Sequence, residues 1–461
     1  MSLSKAIIYK SVDTVIKLIN KGAKLDVIDE YGYTPLVQTA IMNSASKAAV
    51  IINAGASIDF ADLTGHTALY WAADNNNLTL CKLFLDHNAN PNAYTTAGQP
   101  VLVMPLLRKQ QKLIKLLCKH GADIEFAKDF INTKLLAHRY ELKGHVDIAD
   151  NTNTFIEINY EGFYLEFTLA IISSSLADFK NSFGSRHLRS YFDYLKRIIK
   201  SFKNASDLIQ YQHYNTDICE HEEKINALLN HDLLLIPIAC EGHAISLIKY
   251  GNIFAYCDRG MYGEKHGPIN IYKMGNPDAL THELIKKLIY THQPKHFIES
   301  DMQALFDLTL IHKLPLPLQT TGNCSWANVE AAIPTLMFLL LQEDSKESVE
   351  DCQQSALYFY EEWLEWEKNH ALHQFVYHFD NLSKARKATK AALLASILFQ
   401  KCDFKNDQDF KRAKKIVPIL TNPEFEYIIK NYIDIFIAKH KTEKGKNLAE
   451  ILENFGIDVE D

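Results

Sequence analysis

Gly32-Tyr33-Thr34-Pro35-Leu36 and Gly65-His66-Thr67-Ala68-Leu69 decide the architecture of the first third of the chain. They stand 33 residues apart, and a weaker third copy, Gly98-Gln99-Pro100-Val101-Leu102, follows at the same interval. The units close on equivalent turns, such as Gly55-Ala56-Ser57-Ile58-Asp59 and Gly121-Ala122-Asp123-Ile124-Glu125. A period of this length is the signature of a solenoid, in which each unit buries its apolar face against the next.

The boundaries of the repeats follow from these motifs. We predict three consecutive units over residues 30–62, 63–95 and 96–128. Within them, Thr34 and Thr67 are expected to cap the first helix of each pair, while the preceding glycine supplies a turn with positive φ. A truncated earlier unit that ends near Asp26 is expected to cap the stack, and a degenerate unit is expected to start at Asp129 and to lose the pattern near Asp150.

The motifs and their period resemble ankyrin repeats. The resemblance implies helix pairs that bind protein partners through the concave face and the hairpin tips of the stack. A docking role for the N-terminal third is therefore expected.

The second region with a clear pattern is a strand hairpin that begins at His243. Alternating apolar residues follow it, and the strand-like run Ile253 to Asp258 comes after the turn residues. If the two-residue turn is Tyr250-Gly251, His243 lies directly opposite Asp258; if it is Gly251-Asn252, the two lie diagonally on one face. A three-residue loop without a bulge would put them on opposite faces.

A cysteine with a distinctive context follows this hairpin. Cys324 comes after a loop and before the helical pattern that starts at Ser325, so it is predicted to open a helix, where the macrodipole favours a thiolate. Gln319, in the loop just before, carries an amide that can donate to an oxyanion. The alternative is that Cys324 is a small buried residue and Gln319 a solvated one.

Together these side chains supply what thiol nucleophilic catalysis requires: Cys324 as nucleophile, His243 as base, Asp258 to orient the imidazole and Gln319 as oxyanion donor. No cofactor and no metal ion are expected. A rival interpretation is a zinc site made by Cys240 and His243 with Cys257 and Asp258, which would exclude catalysis by the thiol.

The order His, Asp, Gln, Cys resembles that of the clan CE cysteine peptidases, which include the SUMO proteases and the YopJ-type acetyltransferases. The resemblance covers roughly residues 230–340 and implies the same four roles. SUMO proteases have Trp after the histidine and Gly after the cysteine, whereas this chain has Ala244 and Ser325. The stretch Cys324-Ser325-Trp326-Ala327 is similar to papain-like enzymes, although their chain order places Cys before His.

Composition is consistent with several domains in a reducing compartment. The chain has 461 residues, 47% of them hydrophobic, and a formal charge of −7, which requires neither nucleic-acid binding nor membrane adhesion. Its eight cysteines show no CxxC pair and no N-terminal apolar stretch suggests a secretory signal. The apolar run Ala331 to Leu341 is too short to cross a bilayer and contains Pro334, so no membrane span is expected.

We therefore predict a multidomain α and α+β protein. An ankyrin-repeat solenoid of about four repeats with a degenerate cap occupies residues 1–145, a papain-like or clan CE-like cysteine protease α+β domain residues 146–344, and a helical C-terminal cap residues 345–461. In the central domain, Thr154 to Tyr160 and Phe163 to Ala170 are predicted strands. In the C-terminal domain, helical spacing predicts the segments Val349 to Asn369, Ser383 to Phe399, Asp407 to Val417, Pro423 to Lys439 and Asn447 to Phe455.

In its architecture the whole chain resembles the AnkH-type ankyrin effectors of intracellular bacterial pathogens. The resemblance implies virulence, delivery into the host cytoplasm or the host nucleus, and a host protein bound by the repeats; the acidic tail Glu450 to Asp461 resembles type IV secretion signals. The first hypothesis is cleavage of a peptide or isopeptide bond in a protein substrate through an acyl-thioester at Cys324. The alternatives are a YopJ-like acyltransferase and a non-catalytic adaptor for a host complex.

Overall fold

The computed structural model describes residues 2–212, 218–240, 242–291, 293–344, 346–377 and 379–459. Contacts between backbone positions divide the chain into two compact units. The first unit consists of residues 1–135, 144–160 and 375–461, and the second of residues 136–143 and 161–374. The contacts thus assign segments differently from the three domains expected from the sequence, whose boundaries at 145/146 and 344/345 stay a prediction.

Helix pairs build the N-terminal part of the first unit. They are α1 Leu3–Tyr9 and α2 Val12–Asn20, α3 Pro35–Ile41 and α4 Ala45–Asn53, α5 Ala68–Asp74 and α6 Leu78–Asp86, and α7 Val103–Leu107 and α8 Gln111–Lys119. The predicted caps are present: the side chain of Thr34 accepts a hydrogen bond from the N–H of Val37, and that of Thr67 from Tyr70. Both caps satisfy backbone donors that the first helical turn leaves without a partner.

The repeat pattern ends in one long helix instead of a fifth helix pair. Helix α9 covers Ile124–Arg139, so Asp129 lies inside a helix and does not start a new unit. An antiparallel hairpin follows, β1 His145–Ala149 and β2 Phe155–Asn159, which confirms the strand predicted over Thr154 to Tyr160.

The C-terminal helices complete the first unit. They are α19 Lys384–Lys401, α20 Asp407–Leu420, α21 Glu426–Tyr432 and α22 Glu443–Glu453, close to the helices predicted from spacing. Helix α19 packs on β1, and its Arg386 forms ion pairs with Asp123 and, at 3.3 Å, with Asp129. The last helices of the chain are therefore part of the same core as the strand hairpin.

The second unit is built on an antiparallel sheet with the strands in chain order, β3-β4-β5-β6-β7. The strands are β3 Leu233–Cys240, β4 His243–Tyr250, β5 Ile253–Cys257, β6 Ile269–Met274 and β7 Leu308–Leu314. The helices of this unit are α10 Leu165–Asn181, α11 Phe192–Ile209, α12 Glu222–Leu229, α13 Met261–His266, α14 His282–Tyr290, α15 Met302–Leu305, α16 Cys324–Glu330, α17 Ala332–Asp344 and most of α18 Val349–Tyr377.

Two sequence expectations concern these helices. The strand predicted over Phe163 to Ala170 is wrong, because the chain there enters helix α10. The helical run Cys324–Asp344 is, within the described residues, the one long and apolar enough to cross a membrane by length and composition, and 94% of its most apolar window is buried inside the protein. Burial of this kind is typical of a core helix, so the run is weak evidence for a membrane span.

A pair of glycines in the repeats gives a test of the turn geometry. Gly65 has a φ of +80°, and a Cβ added there would lie 2.7 Å from the backbone nitrogen of Thr96, whereas Gly55 has a φ of +94° and open space around it. Gly55→Ala should cost about 1 kcal/mol of unfolding free energy from backbone strain alone, and Gly65→Ala at least about 2 kcal/mol, because the clash is with rigid backbone. Urea denaturation of the two variants measures the difference, and equal losses would contradict the stacking at Gly65.

Candidate active site

The hairpin of β4 and β5 brings His243 and Asp258 together. Tyr250 pairs with Ile253, so the turn is Gly251-Asn252, and the diagonal arrangement on one face is confirmed. The Nε2 atom of His243 lies 2.9 Å from Oδ2 of Asp258, whose side chain is only 3% exposed. A buried carboxylate beside an imidazole fixes both the ring orientation and its tautomer.

Cys324 lies at the start of helix α16, as predicted, and α16 packs against β4. The side chain of His243 is a hydrogen-bonding partner of the thiol. It also accepts one from the backbone N–H of Ala244, at 3.4 Å from nitrogen to sulfur. Because Nε2 of His243 is engaged by Asp258, the other ring nitrogen, Nδ1, is the one left for the sulfur. Thiol, imidazole and carboxylate thus form a continuous chain of contacts.

The electrostatics of the pair favour charge separation. Burial alone raises the pKa of the Cys324 thiol, but the hydrogen bonds from His243 and Ala244 outweigh it and leave the pKa below its usual value of 9.0. Burial alone lowers the pKa of His243, but Asp258 and the thiolate raise it to about 10. Both shifts favour the thiolate–imidazolium form of the pair, which is the reactive form of a nucleophilic cysteine.

Gln319 approaches the same place from the loop before α16. Its backbone N–H donates to the carbonyl of Arg259 at 2.8 Å. A Cβ added to Gly260 would lie 3.2 Å from Nε2 of Gln319, 2.9 Å from Cε1 of His243 and 3.2 Å from Oδ1 of Asp258. The amide is therefore close to the imidazole and the carboxylate, and the four residues predicted from the sequence converge. Their catalytic roles stay a prediction.

The sequence analysis missed the residue that joins these parts. Asn328 is fully buried, and its Nδ2 donates to the carbonyl of Ala244 at 2.6 Å and to Oδ1 of Asp258 at 3.3 Å. Its Oδ1 accepts from the backbone N–H of Arg259 at 2.7 Å. The signal that could have found Asn328 is its spacing: it lies four residues after Cys324, on the same face of α16.

A second missed residue, Arg259, holds the loop of Gln319. Its Nε donates to the carbonyl of Pro317 at 2.7 Å, and its guanidinium pairs with Glu141 at 2.9 Å and with Glu330 at 3.8 Å. Arg259 is 4% exposed, so its charge depends on these carboxylates. Arg259 thus fixes both the segment after Asp258 and the loop before the cysteine.

The departures from the peptidase pattern have local explanations. The hydroxyl of Ser325 donates to the carbonyl of Phe163 at 2.7 Å, which anchors the residue after the cysteine. Ala244 is buried with 6% exposure, and its backbone contributes through the N–H that reaches the sulfur. Ser325 and Ala244 thus each form a hydrogen bond within the second unit.

The residues of the zinc alternative are placed as follows. The thiol of Cys257 is buried beside the hydroxyl of Thr335, at 3.4 Å, and burial raises its pKa to about 12, which disfavours the thiolate that zinc requires. The side chain of Cys240 lies outside the described part of the structure. Among the side chains that are described, no three of His, Cys, Asp or Glu are grouped to hold a metal ion.

The comparisons with known proteins agree with this architecture. A family model for ankyrin repeats matches residues 47–128 in three copies. A solved structure described as "Structure of Legionella Effector AnkH" matches 100% of this chain and 98% of its own chain, with 40% sequence identity and a TM-score of 0.84. Among curated proteins no sequence matches this chain.

The helix pairs and the repeat match define the class: this is an ankyrin-repeat protein with additional α and α+β parts. Identity of 40% over the whole length shows more than a shared fold. The chain belongs to the family of the Legionella effector AnkH.

The lowered pKa of Cys324 predicts selective chemistry at this thiol. Iodoacetamide should alkylate Cys324 faster than Cys118 at pH 7, although Cys118 is more exposed, because burial raises the pKa of Cys118 while the pKa of Cys324 is lowered. In His243→Ala the Cys324 rate should fall about tenfold for each unit by which its pKa rises, with the Cys118 rate unchanged. Peptide mass spectrometry across pH measures both rates, and a Cys324 rate that ignores His243 would contradict the pairing.

The buried Glu330 predicts a pH dependence of stability. Burial raises its pKa from 4.5 to about 7, an effect that Arg259 partly offsets. Between pH 4.5 and 7 the folded protein retains a proton that the unfolded chain has released, so the unfolding free energy should fall as the pH rises, by up to about 3 kcal/mol. Urea denaturation of wild type and Glu330→Gln should show curves that diverge in this window; parallel curves would mean that the carboxyl titrates normally.

Proposed function

We propose that this protein is a translocated bacterial effector that binds a host protein through its ankyrin repeats and hydrolyses a peptide or isopeptide bond at Cys324. The observation that carries the catalytic part is the contact of the Cys324 thiol with His243, which lowers the pKa of the thiol, together with Asp258 at 2.9 Å from the imidazole ring. Membership of the AnkH family supports the delivery into a host cell.

The proposed mechanism follows from these contacts. The sulfur of Cys324 attacks the substrate carbonyl, and the negative charge moves to the carbonyl oxygen. That oxyanion receives hydrogen bonds from Nε2 of Gln319 and from the backbone at the start of α16. As the tetrahedral intermediate collapses, the imidazolium of His243 gives its proton to the leaving amine, and an acyl-thioester remains.

The second half of the reaction uses the same groups. The neutral His243 takes a proton from water as the water attacks the thioester, which forms the carboxylic acid and releases the sulfur. Asp258 keeps the ring oriented and stabilises its positive charge in both steps. Asn328 and Arg259 act as positioning residues, because they hold Asp258 and the Gln319 loop without touching the reacting atoms.

Exposed apolar side chains in the repeats support the docking part. Tyr31 is 63% exposed and Leu63 is 69% exposed, and both lie in the turns that precede a helix pair. Large apolar groups in such turns are typical anchors for a protein partner. A non-catalytic adaptor is therefore the second candidate, since this surface suffices for binding without any chemistry.

One experiment separates catalysis from docking. Host-cell lysate is incubated with wild type, Cys324→Ala, or Cys118→Ala as the matched thiol control, and new protein N-termini and lost isopeptide links are quantified by mass spectrometry. Wild type and Cys118→Ala should produce the same cleavages, and Cys324→Ala should reduce them by at least about 10³-fold, because among the described side chains the thiol of Cys324 is the nucleophile that contacts His243.

Docking has its own readout in the same lysate. The double variant Tyr31→Ser with Leu63→Ser should lose bound host proteins while its Cys324 keeps the alkylation rate of wild type, because the two features belong to different units. Cleavage products that are identical for wild type and Cys324→Ala would refute the hydrolase and leave the adaptor.

A further inference from the structure

The outer strand of the five-stranded sheet exposes an unusual edge. Strand β7 pairs with β6 and ends the strand order, with a bulge in which Ile311 has no partner residue in β6. Leu310 is 45% exposed and Ile311 is 51% exposed. In the described part of the chain, no hydrogen bond from outside the sheet reaches the backbone of β7. An apolar edge of this kind is a template for another strand, since its backbone groups remain available for pairing.

A cavity adjoins this edge at the end of the sheet that holds the β4–β5 turn. Its volume is about 620 Å³, within the range of ligand sites. Ile311 and His312 of β7 line it from one side, and Phe338 and Leu339 of α17 from the other. The ring of His312 stacks on Phe338 at 4.9 Å and 13°, and its Nε2 lies 2.8 Å from Oε1 of Gln353. The cavity therefore has a fixed aromatic wall next to the exposed edge.

The rim of the cavity is acidic. Asp232 and Glu343 line it, and both share a single cation, Arg197, at 3.1 Å and 3.5 Å, so the three side chains leave one net negative charge. Glu343 is also the first of the exposed residues 343–344 and 346–351, which carry five carboxylates and one lysine. The rim thus complements a positively charged group on a partner.

We propose that β7 and this cavity form a docking site for an extended, basic segment of a partner protein. The segment adds as a sixth strand along β7, and one of its Lys or Arg side chains enters the cavity. The aliphatic stem of that side chain packs between Ile311 and Phe338, and its charged end reaches Glu343 and Asp232. Backbone pairing supplies the affinity and the cavity selects the side chain, as in other strand-addition complexes.

The docking site is separate from the candidate active site. Strand β4 begins with His243 and ends with Tyr250, which lines the cavity, so about 23 Å of extended strand separates the two. Strand β7 runs from the cavity toward the end of the sheet that carries Asp258. Its last residue, Leu314, pairs with Ile269, and Ile269 pairs with Cys257, the residue before Asp258. A segment added to β7 is thereby aligned toward the cysteine, but its binding does not require catalysis.

The test uses the full chain carrying Cys324→Ala, so that hydrolysis plays no part. The probe is a fluorescein-labelled seven-residue peptide that alternates valine and lysine, with valine–glutamate and backbone N-methylated versions as controls. Fluorescence anisotropy should show saturable binding of the valine–lysine peptide only, because the other two lack the charge or the backbone donors. Hydrogen exchange should slow at the amides of Leu308–Leu314 when that peptide binds.

Matched variants assign the binding to β7 and the cavity. Ile311→Lys places a positive charge at the mouth of the cavity and should weaken binding about tenfold or more. Phe183→Lys, at a residue that is 78% exposed and does not line the cavity, should leave binding unchanged. Glu343→Gln should weaken binding, and Glu361→Gln should not.

Several results would overturn the proposal. These are the absence of saturable binding up to about 1 mM peptide, equal binding of the N-methylated peptide, or exchange protection outside β7. A chain that sediments as a dimer and becomes a monomer on Ile311→Lys would also overturn it, because the occupant of the edge would then be a second copy.

Discussion

The candidate active site depends on one buried amide. The side chain of Asn328 binds the strand of the histidine through the carbonyl of Ala244, the carboxylate of Asp258, and the backbone of Arg259. Because Asn328 lies on the same helix as Cys324, it sets the position of the sulfur relative to the imidazole and the carboxylate at once. A buried amide with all its partners in place is rigid, since any displacement leaves a polar group without a hydrogen bond.

Charge is arranged around this amide in two layers. The inner layer is the Cys324–His243–Asp258 chain, in which His243 contacts both the thiol and the carboxyl group. The outer layer consists of Arg259 and the carboxylates that pair with it. Burying these charges costs desolvation free energy, but Arg259 fixes the loop that carries Gln319. The outer layer thus contributes geometry more than stability.

The sequence predicts those parts of the fold whose signal is local or periodic. The repeat period, the caps at Thr34 and Thr67 and the C-terminal helices depend on residues close together in the chain, and the structure contains them. Both two-residue turns keep His243 and Asp258 on one face, because strand alternation is the same for either turn, whereas a three-residue loop would have separated them.

Other parts could not be predicted, for physical reasons. Phe163 to Ala170 alternates large apolar residues with Glu166 and Thr168, a period of two that is typical of a strand, although the chain there enters helix α10. The packing that favours the helix involves residues outside this short stretch and gives no local signal. The role of Arg259 was hidden because its partner Glu141 lies 118 residues away. Contacts at this separation leave no mark in local spacing.

The first unit takes its residues from both ends of the chain, 1–135 and 375–461, with Arg386 of α19 bound to Asp123 and Asp129 of the repeat region. During synthesis the repeats leave the ribosome long before the helices that complete their unit, while residues 161–374 are already available to fold between them. A chain that passes unfolded through a narrow channel would meet the same delay when it refolds on the other side. The repeats therefore expose part of their apolar surface until residues 375–461 have emerged. During that interval this unit is a natural substrate for a chaperone.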